Sequence, residues 1–212
     1  MNMELMCKRS INNPFAGAEQ FVSHPSSLIR HLLSLFLLLF TASCNDSQFE
    51  FSTYKAFFIF DNSTHLEPAL STAMNPLTPG IFCHITMSSG NSFSFTNNQG
   101  QSGRQTASAL ELKRTILLGI YNESGVFVGY GMLTDPVQFF AYDAQCPNCY
   151  KESNLPRYPL SMTSDGHAKC SRCNRTYDMN NYGIISDGEA GDKLIRYRAQ
   201  TTGPNGVLSI NN

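Results

Sequence analysis

The sequence predicts an all-β fold of stacked antiparallel sheets or a barrel, carrying a small metal-binding subdomain at about residues 143–185. Three observations predict it. The chain has 15 Phe, 9 Tyr and no Trp, and with its many Thr, Ser, Asn and Gly this suits strands joined by turns. Short apolar segments recur at close spacing between turn signals. Two CxxC pairs, Cys146-Pro147-Asn148-Cys149 and Cys170-Ser171-Arg172-Cys173, stand twenty residues apart.

In chain order, Tyr54 to Phe60 (YKAFFIF) reads as a first strand, closed by the turn signal Asp61-Asn62. Glu67 to Met74 reads as a helical turn or loop. Asn75-Pro76 and Pro79-Gly80 bracket a turn, and Ile81 to Met87 then alternates as a strand bearing His84, a surface or internally satisfied histidine rather than a ligand. Phe93 and Phe95 mark a further strand, and Asn97 to Gln105 a polar loop. Ala107 to Arg114 is the best helix segment, and Thr115 to Tyr121 (TILLGIY) reads as a strand. Asn122 to Gly125 forms a hairpin-type turn into Val126 to Tyr130. Gln138 to Tyr142 is the last strand before the first CxxC. Ile184-Ile185, Lys193 to Arg198 and Gly206 to Ile210 read as closing strands. Cys83, alone in a strand, is expected as a small buried hydrophobe.

The 212 residues carry a formal net charge of −1 from 15 basic and 16 acidic side chains. No basic field exists, so nucleic acid is not an expected partner. Only 15% of residues are charged, a level common in exported proteins. Leu32 to Phe40 is an apolar run of nine, well short of the roughly 20 residues that span a bilayer. Arg30 and His31 precede it; Thr41, Ala42, Ser43 and Cys44 follow. Basic residue, short apolar core and small residues form the layout of a secretory signal at 1–43, with a true start further downstream that leaves Cys7 outside the protein. Phe40 to Cys44 resembles the lipobox of Bacteroidetes-type lipoproteins. That resemblance implies a lipid on Cys44, attachment to the membrane of the cell envelope on the periplasmic or outer-membrane side, and Asn45 to Gln48 as a tether. The remaining alternatives are an ordinary signal with Cys44 free and a buried core helix. Residues 44–74 then form the tether and first strand, and 75–212 the main β domain.

A thiolate pair two residues apart binds one metal from a single tight turn, and a second such turn completes a tetrahedron. Cys146, Cys149, Cys170 and Cys173 are therefore the expected metal ligands. Pro147 stiffens the first turn, and the cation of Arg172 is expected to favour nearby thiolates. A disulfide framework is the rival reading, since an exported chain meets an oxidising compartment. A thioredoxin-type redox CxxC is disfavoured because no βαβ unit surrounds either motif. No G-x-S-x-G, H-E-x-x-H or phosphate loop occurs, and Asp143 and Asp178 beside the turns read as caps or solvated residues. Nothing in the chain points to an enzyme.

The segments AYDAQCPNCY, KCSRC, TYDM, DGEAGDKLIRYRA and GVLSI together resemble a Rieske domain over roughly Phe139 to Ile210. The resemblance implies two cluster-binding turns, a third Gly-rich loop at Gly188 to Gly191, an aromatic-Asp pair at Tyr177-Asp178 and two closing strands. Cys146 and Cys170 match the family's cysteine ligands. Asn148 and Cys173 stand where it has its two histidines, and His167 lies three residues before Cys170. Two imidazoles on one iron are what raise a Rieske potential, so the site is expected to hold zinc, a single iron or an all-cysteine [2Fe–2S] cluster. A chain exported unfolded acquires zinc outside more readily than it carries a cluster, so zinc in a zinc-ribbon-like subdomain is favoured. The alternative is an electron carrier with iron or [2Fe–2S] at the same cysteines.

Overall fold

The computed structural model describes residues 50–88 and 91–212. The expected signal segment, Cys7 and the expected lipidation site Cys44 lie outside the described residues.

The fold is all-β, with every strand pairing antiparallel. The strands are β1 (Phe57–Asp61), β2 (Phe82–Ser88), β3 (Ser92–Asn97), β4 (Ser102–Thr106), β5 (Val126–Tyr130), β6 (Phe139–Asp143), β7 (Leu160–Met162), β8 (His167–Cys170), β9 (Thr176–Asp178), β10 (Ile184–Asp187), β11 (Arg196–Thr201) and β12 (Val207–Asn211). Among the described residues four short helices interrupt them: α1 (Asn62–His65), α2 (Pro68–Ala73), α3 (Ala109–Leu112) and α4 (Pro147–Ser153). The larger sheet runs β1-β12-β11-β6-β5-β2-β3-β4, and the smaller runs β10-β9-β8-β7.

The eight-stranded sheet curls until its ends meet. Phe58 and Phe60 of β1 lie 5.2 and 5.8 Å from the Phe93 ring of β3, and Phe60 lies 5.0 Å from Phe95. α2 closes the interior with Ala69, Leu70 and Ala73. Its capping residue Glu67, itself buried, accepts from Ala69 N at 3.3 Å and from the Gln105 amide of β4 at 2.9 Å. The described part of the segment expected as tether and first strand thus belongs to the same sheet and core as the rest.

The central strands β5 and β6 are buried on both faces, which is why VFV and FFAY read as near-continuous apolar runs. Strand alternation sends Val126, Val128 and Ala141 into the curled interior. It sends Phe127, Phe140 and Tyr142 to the opposite face, where they pack with Leu160, Ala168, Tyr177 and the cysteines Cys146, Cys149 and Cys170. The unit that carries the four cysteines therefore sits on the sheet as a second layer. Asn98 ties the layers together: it accepts from Phe82 N at 3.0 Å and donates to Gly80 O at 2.9 Å and Ser164 O at 3.2 Å. Asn98→Ala leaves those groups unpaired and is expected to cost about 1–3 kcal/mol, read as a lowered denaturant midpoint with unchanged slope.

Three expectations are corrected. The polar segment 97–105 contains β4, held by pairing with β3. Thr115 to Tyr121 is not a strand; it makes one bridge, Leu117 to Phe57, and then turns at Gly119, whose φ is +74°. Asn122 to Gly125 does not join adjacent strands, since β5 pairs with β2 and β6. Among the described residues no helix is long and apolar enough to cross a membrane.

Candidate metal centre

Cys146, Cys149, Cys170 and Cys173 converge, with all four sulfurs within 4.8 Å of one another. The first pair is not a bare turn. Cys146 occupies the N-cap position of α4, Pro147 takes the first helical position, and Cys149 follows one turn on, the arrangement proline's fixed φ favours. Asn154 ends the helix in the left-handed region at φ 51°. The second pair spans the β8–β9 turn, where Asn174 at φ 58° donates its N–H to Cys170 O at 3.0 Å and Cys170 N donates to Arg175 O at 3.0 Å.

Two sulfur pairs lie across the two turns, Cys146 to Cys173 and Cys149 to Cys170, each at 3.7 Å. Four sulfurs each about 2.3 Å from one ion at tetrahedral angles stand about 3.8 Å apart, so the cluster has the dimensions of a single-ion site. The four cysteines are free, and 3.7 Å is far longer than the roughly 2.05 Å of a disulfide. Cys146, Cys149 and Cys170 are buried and Cys173 half-buried. A cluster of four such thiols is able to hold a metal ion.

No family model, curated protein or solved structure matches the chain.

The residues around the sulfurs set their charge and orientation. Tyr177 Oη lies 3.3 Å from Cys146 Sγ and accepts from Asn148 Nδ2 at 2.9 Å, which leaves its own proton for the sulfur. The Asn148 amide also pairs twice with the backbone of Asp192, donating to its carbonyl and accepting from its N–H, both at 2.9 Å. Gly191 permits this approach, because a Cβ there would stand 2.3 Å from Asn148 Oδ1. The third Gly-rich loop is thereby clamped beside the first cysteine pair, and Lys151 adds an exposed 2.7 Å ion pair to Asp192.

Burial pushes the Cys146 thiol up to about 11 despite the Tyr177 hydrogen bond, and raises Cys149 as well. Burial also opposes ionisation of Cys173, but the backbone N–H and guanidinium of Arg175 outweigh it and bring the thiol down to about 7. Arg175 is itself held by Glu189 through its carbonyl at 2.8 Å and carboxylate at 2.9 Å. The cation that favours thiolate is therefore Arg175, not Arg172. Arg172 lies over the Tyr158 ring at 4.4 Å and pairs with Glu152 at 3.4 Å. A cation two residues beyond the second pair was the available signal. Arg175→Gln is expected to move alkylation of the metal-free Cys173 thiol to higher pH and to weaken metal binding about tenfold, read by pH-resolved iodoacetamide labelling and by competition with a chromophoric chelator.

The other singled-out residues stay away from the sulfurs. His167 lies on β8 with Nδ1 3.2 Å from the Asp165 carboxylate. His84 is satisfied by Ser124 O at 2.6 Å, and burial holds it below the usual imidazole range. Cys83 is fully buried, and burial raises its thiol. Asn62, the first residue of an Asn-Ser-Thr sequon, is buried and bonded to Ser71 Oγ and Pro204 O at 2.9 and 3.0 Å, so its amide is no acceptor for a glycan. Asp178 accepts from Asn180 N at 2.9 Å in a local turn. Asp143 is not solvated; it is fully buried at the end of β6, three residues before the first cysteine, and caps the local turn by accepting from Gln145 N at 2.7 Å.

Proposed function

We propose that the chain is an exported, lipid-anchored protein of the cell envelope whose Rieske-like β domain carries a structural zinc ion in a zinc-ribbon-like unit. The observation that carries the metal reading is the 3.7 Å spacing of the cross-turn sulfurs, the edge of a tetrahedron around one ion. Four protein donors leave no open coordination position, which is the mark of a structural rather than a catalytic zinc. All four sulfurs lie within 4.8 Å of one another, which disfavours a two-iron cluster, because bridging sulfides lie between its irons and push the two cysteine pairs apart. Asn148, at one histidine position of the Rieske pattern, spends its amide on Tyr177 and Asp192, and Cys173 occupies the other. The order of the parts supports the Rieske-like reading: two cysteine turns, a third loop clamped beside them, then the closing strands β11 and β12.

Zinc when bound supplies charge neutralisation for the four thiolates, and it ties α4 to the β8–β9 turn so that the small sheet holds its place. A second reading, a single-iron electron carrier, is favoured by one observation: Cys173 is half-buried, which gives an iron at the same sulfurs an edge open to a redox partner. X-ray fluorescence of protein purified from its native membranes separates the two. Zinc in a colourless protein is expected. Iron with visible absorbance establishes the second reading instead, and iron with labile sulfide overturns the single-ion site altogether. The lipid on Cys44 rests on the lipobox-like segment Phe40 to Cys44.

A further inference from the structure

The four cysteines differ in how far water reaches them. Cys146 and Cys170 are 0% exposed and Cys149 is 2% exposed, whereas Cys173 is half-buried. Cys173 stands on the β8–β9 turn among Ser171, Arg172 and Asn174, all three exposed. Oxidants react with thiolates, and susceptibility follows exposure. Cys173 is therefore the first of the four that a dissolved oxidant meets.

A partner stands beside it. Cys146 Sγ lies 3.7 Å from Cys173 Sγ, and Cys146 is the N-cap residue of α4. A bond between these two sulfurs joins α4 to the β8–β9 turn, the same two elements that a shared metal ion ties together. Cys149 and Cys170 form the second cross-turn pair at 3.7 Å, and both are sealed from solvent. The site thus holds one reactive sulfur, one resolving sulfur next to it and two protected ones.

We propose that Cys173 is a peroxide-sensitive cysteine whose oxidation to a disulfide with Cys146 opens the metal site. The proposal rests on the zinc reading. The Cys173 thiolate attacks the O–O bond of the peroxide; one oxygen stays on sulfur as a sulfenic acid and the other leaves as hydroxide. The Cys146 thiolate then attacks the Cys173 sulfur and expels a second hydroxide. The two sulfurs together lose two electrons, and the peroxide gains them. Cys149 and Cys170 remain as thiols, and two sulfurs alone do not complete a tetrahedron around an ion. The new bond keeps α4 on the β8–β9 turn, so the small sheet holds its place without metal.

The test uses the full chain purified from its native membranes, with its zinc and its thiols counted first. Hydrogen peroxide is added, released zinc is read with a chromophoric chelator, and non-reducing peptide mapping locates the bond. One zinc released for two thiols lost is expected, with Cys146 linked to Cys173, and dithiothreitol with added zinc is expected to reverse both changes. Hydrogen exchange across β7–β10 is expected to be at least tenfold slower in the oxidised chain than in reduced chain stripped of metal by a chelator. Zinc retained in tenfold excess peroxide, a bond between other cysteines, a sulfinic acid on Cys173, or exchange as fast as in the stripped chain overturns the switch and leaves the zinc site standing. A chain purified without zinc overturns the zinc reading itself.

Discussion

Serine in place of Cys146, Cys149 or Cys170 is expected to reduce bound metal below about a tenth of an equivalent per chain and to lower stability by about 4 kcal/mol, the linkage contribution of an ion present at a thousand times its dissociation constant. The effect arises because the small sheet has little else to hold it. Its four strands are three or four residues each, and its core is built around the cysteines themselves. The loss is expected to be local. The curled interior of the large sheet contains none of the four, so hydrogen exchange should accelerate across β7–β10 and α4 while β2, β3 and β12 stay protected. Cys83→Ala, in the other core, is expected to leave metal content unchanged. Equal metal content in wild type and Cys149→Ser would remove the basis for the site.

Asp143→Ala is the second large effect, expected at about 3 kcal/mol or more. The fully buried carboxylate receives three donors, each at 2.7 Å: Ile120 N and Tyr197 Oη on one oxygen and Gln145 N on the other. It thereby joins β6 and β11 to the 115–125 segment and to the residue preceding Cys146. Burial pushes its carboxyl up to about 6 against those three hydrogen bonds. A folded-state value above the unfolded value near 4 means that the group favours folding most below about pH 4 and loses that contribution as pH rises through about 6. This is the reverse of a carboxylate held by a salt bridge. The stability gap between wild type and Asp143→Ala is therefore expected to shrink by about 1 kcal/mol from pH 5 to pH 7, measured by urea denaturation under identical metal conditions. A gap that widens over that interval would show that the hydrogen bonds, not burial, dominate.

What the sequence revealed and what it hid follow from the range of the interactions. Strands β1, β2, β5 and β6 were legible because their apolar runs report burial directly. The convergence of the four cysteines was legible because paired thiols at this spacing have a chemical purpose. The SGRQT segment of β4 was not legible, since it carries no large apolar residue and owes its conformation to β3 and to the Gln105–Glu67 contact. TILLGIY misled in the other direction. Its apolar content reflects Leu118 in the core, while the N–H of Ile120 goes to Asp143 rather than to a strand partner. The helical start of the first CxxC was written in Pro147 but hidden by the resemblance to a tight turn. The roles of Gly191 and Asp192 depend on a loop that returns to Asn148 after forty-four residues, which the spacing of the cysteine pairs does not announce; Arg175 is announced only by its charge two residues past Cys173.

The central claim is one ion held by four sulfurs. X-ray absorption at the metal edge of protein purified without added metal measures it most directly. Four sulfur neighbours at about 2.3 Å around zinc, with no second metal in the outer shell, are expected. A metal–metal vector, a nitrogen or oxygen ligand in place of a sulfur, or a metal-free chain with its four cysteines oxidised would contradict it.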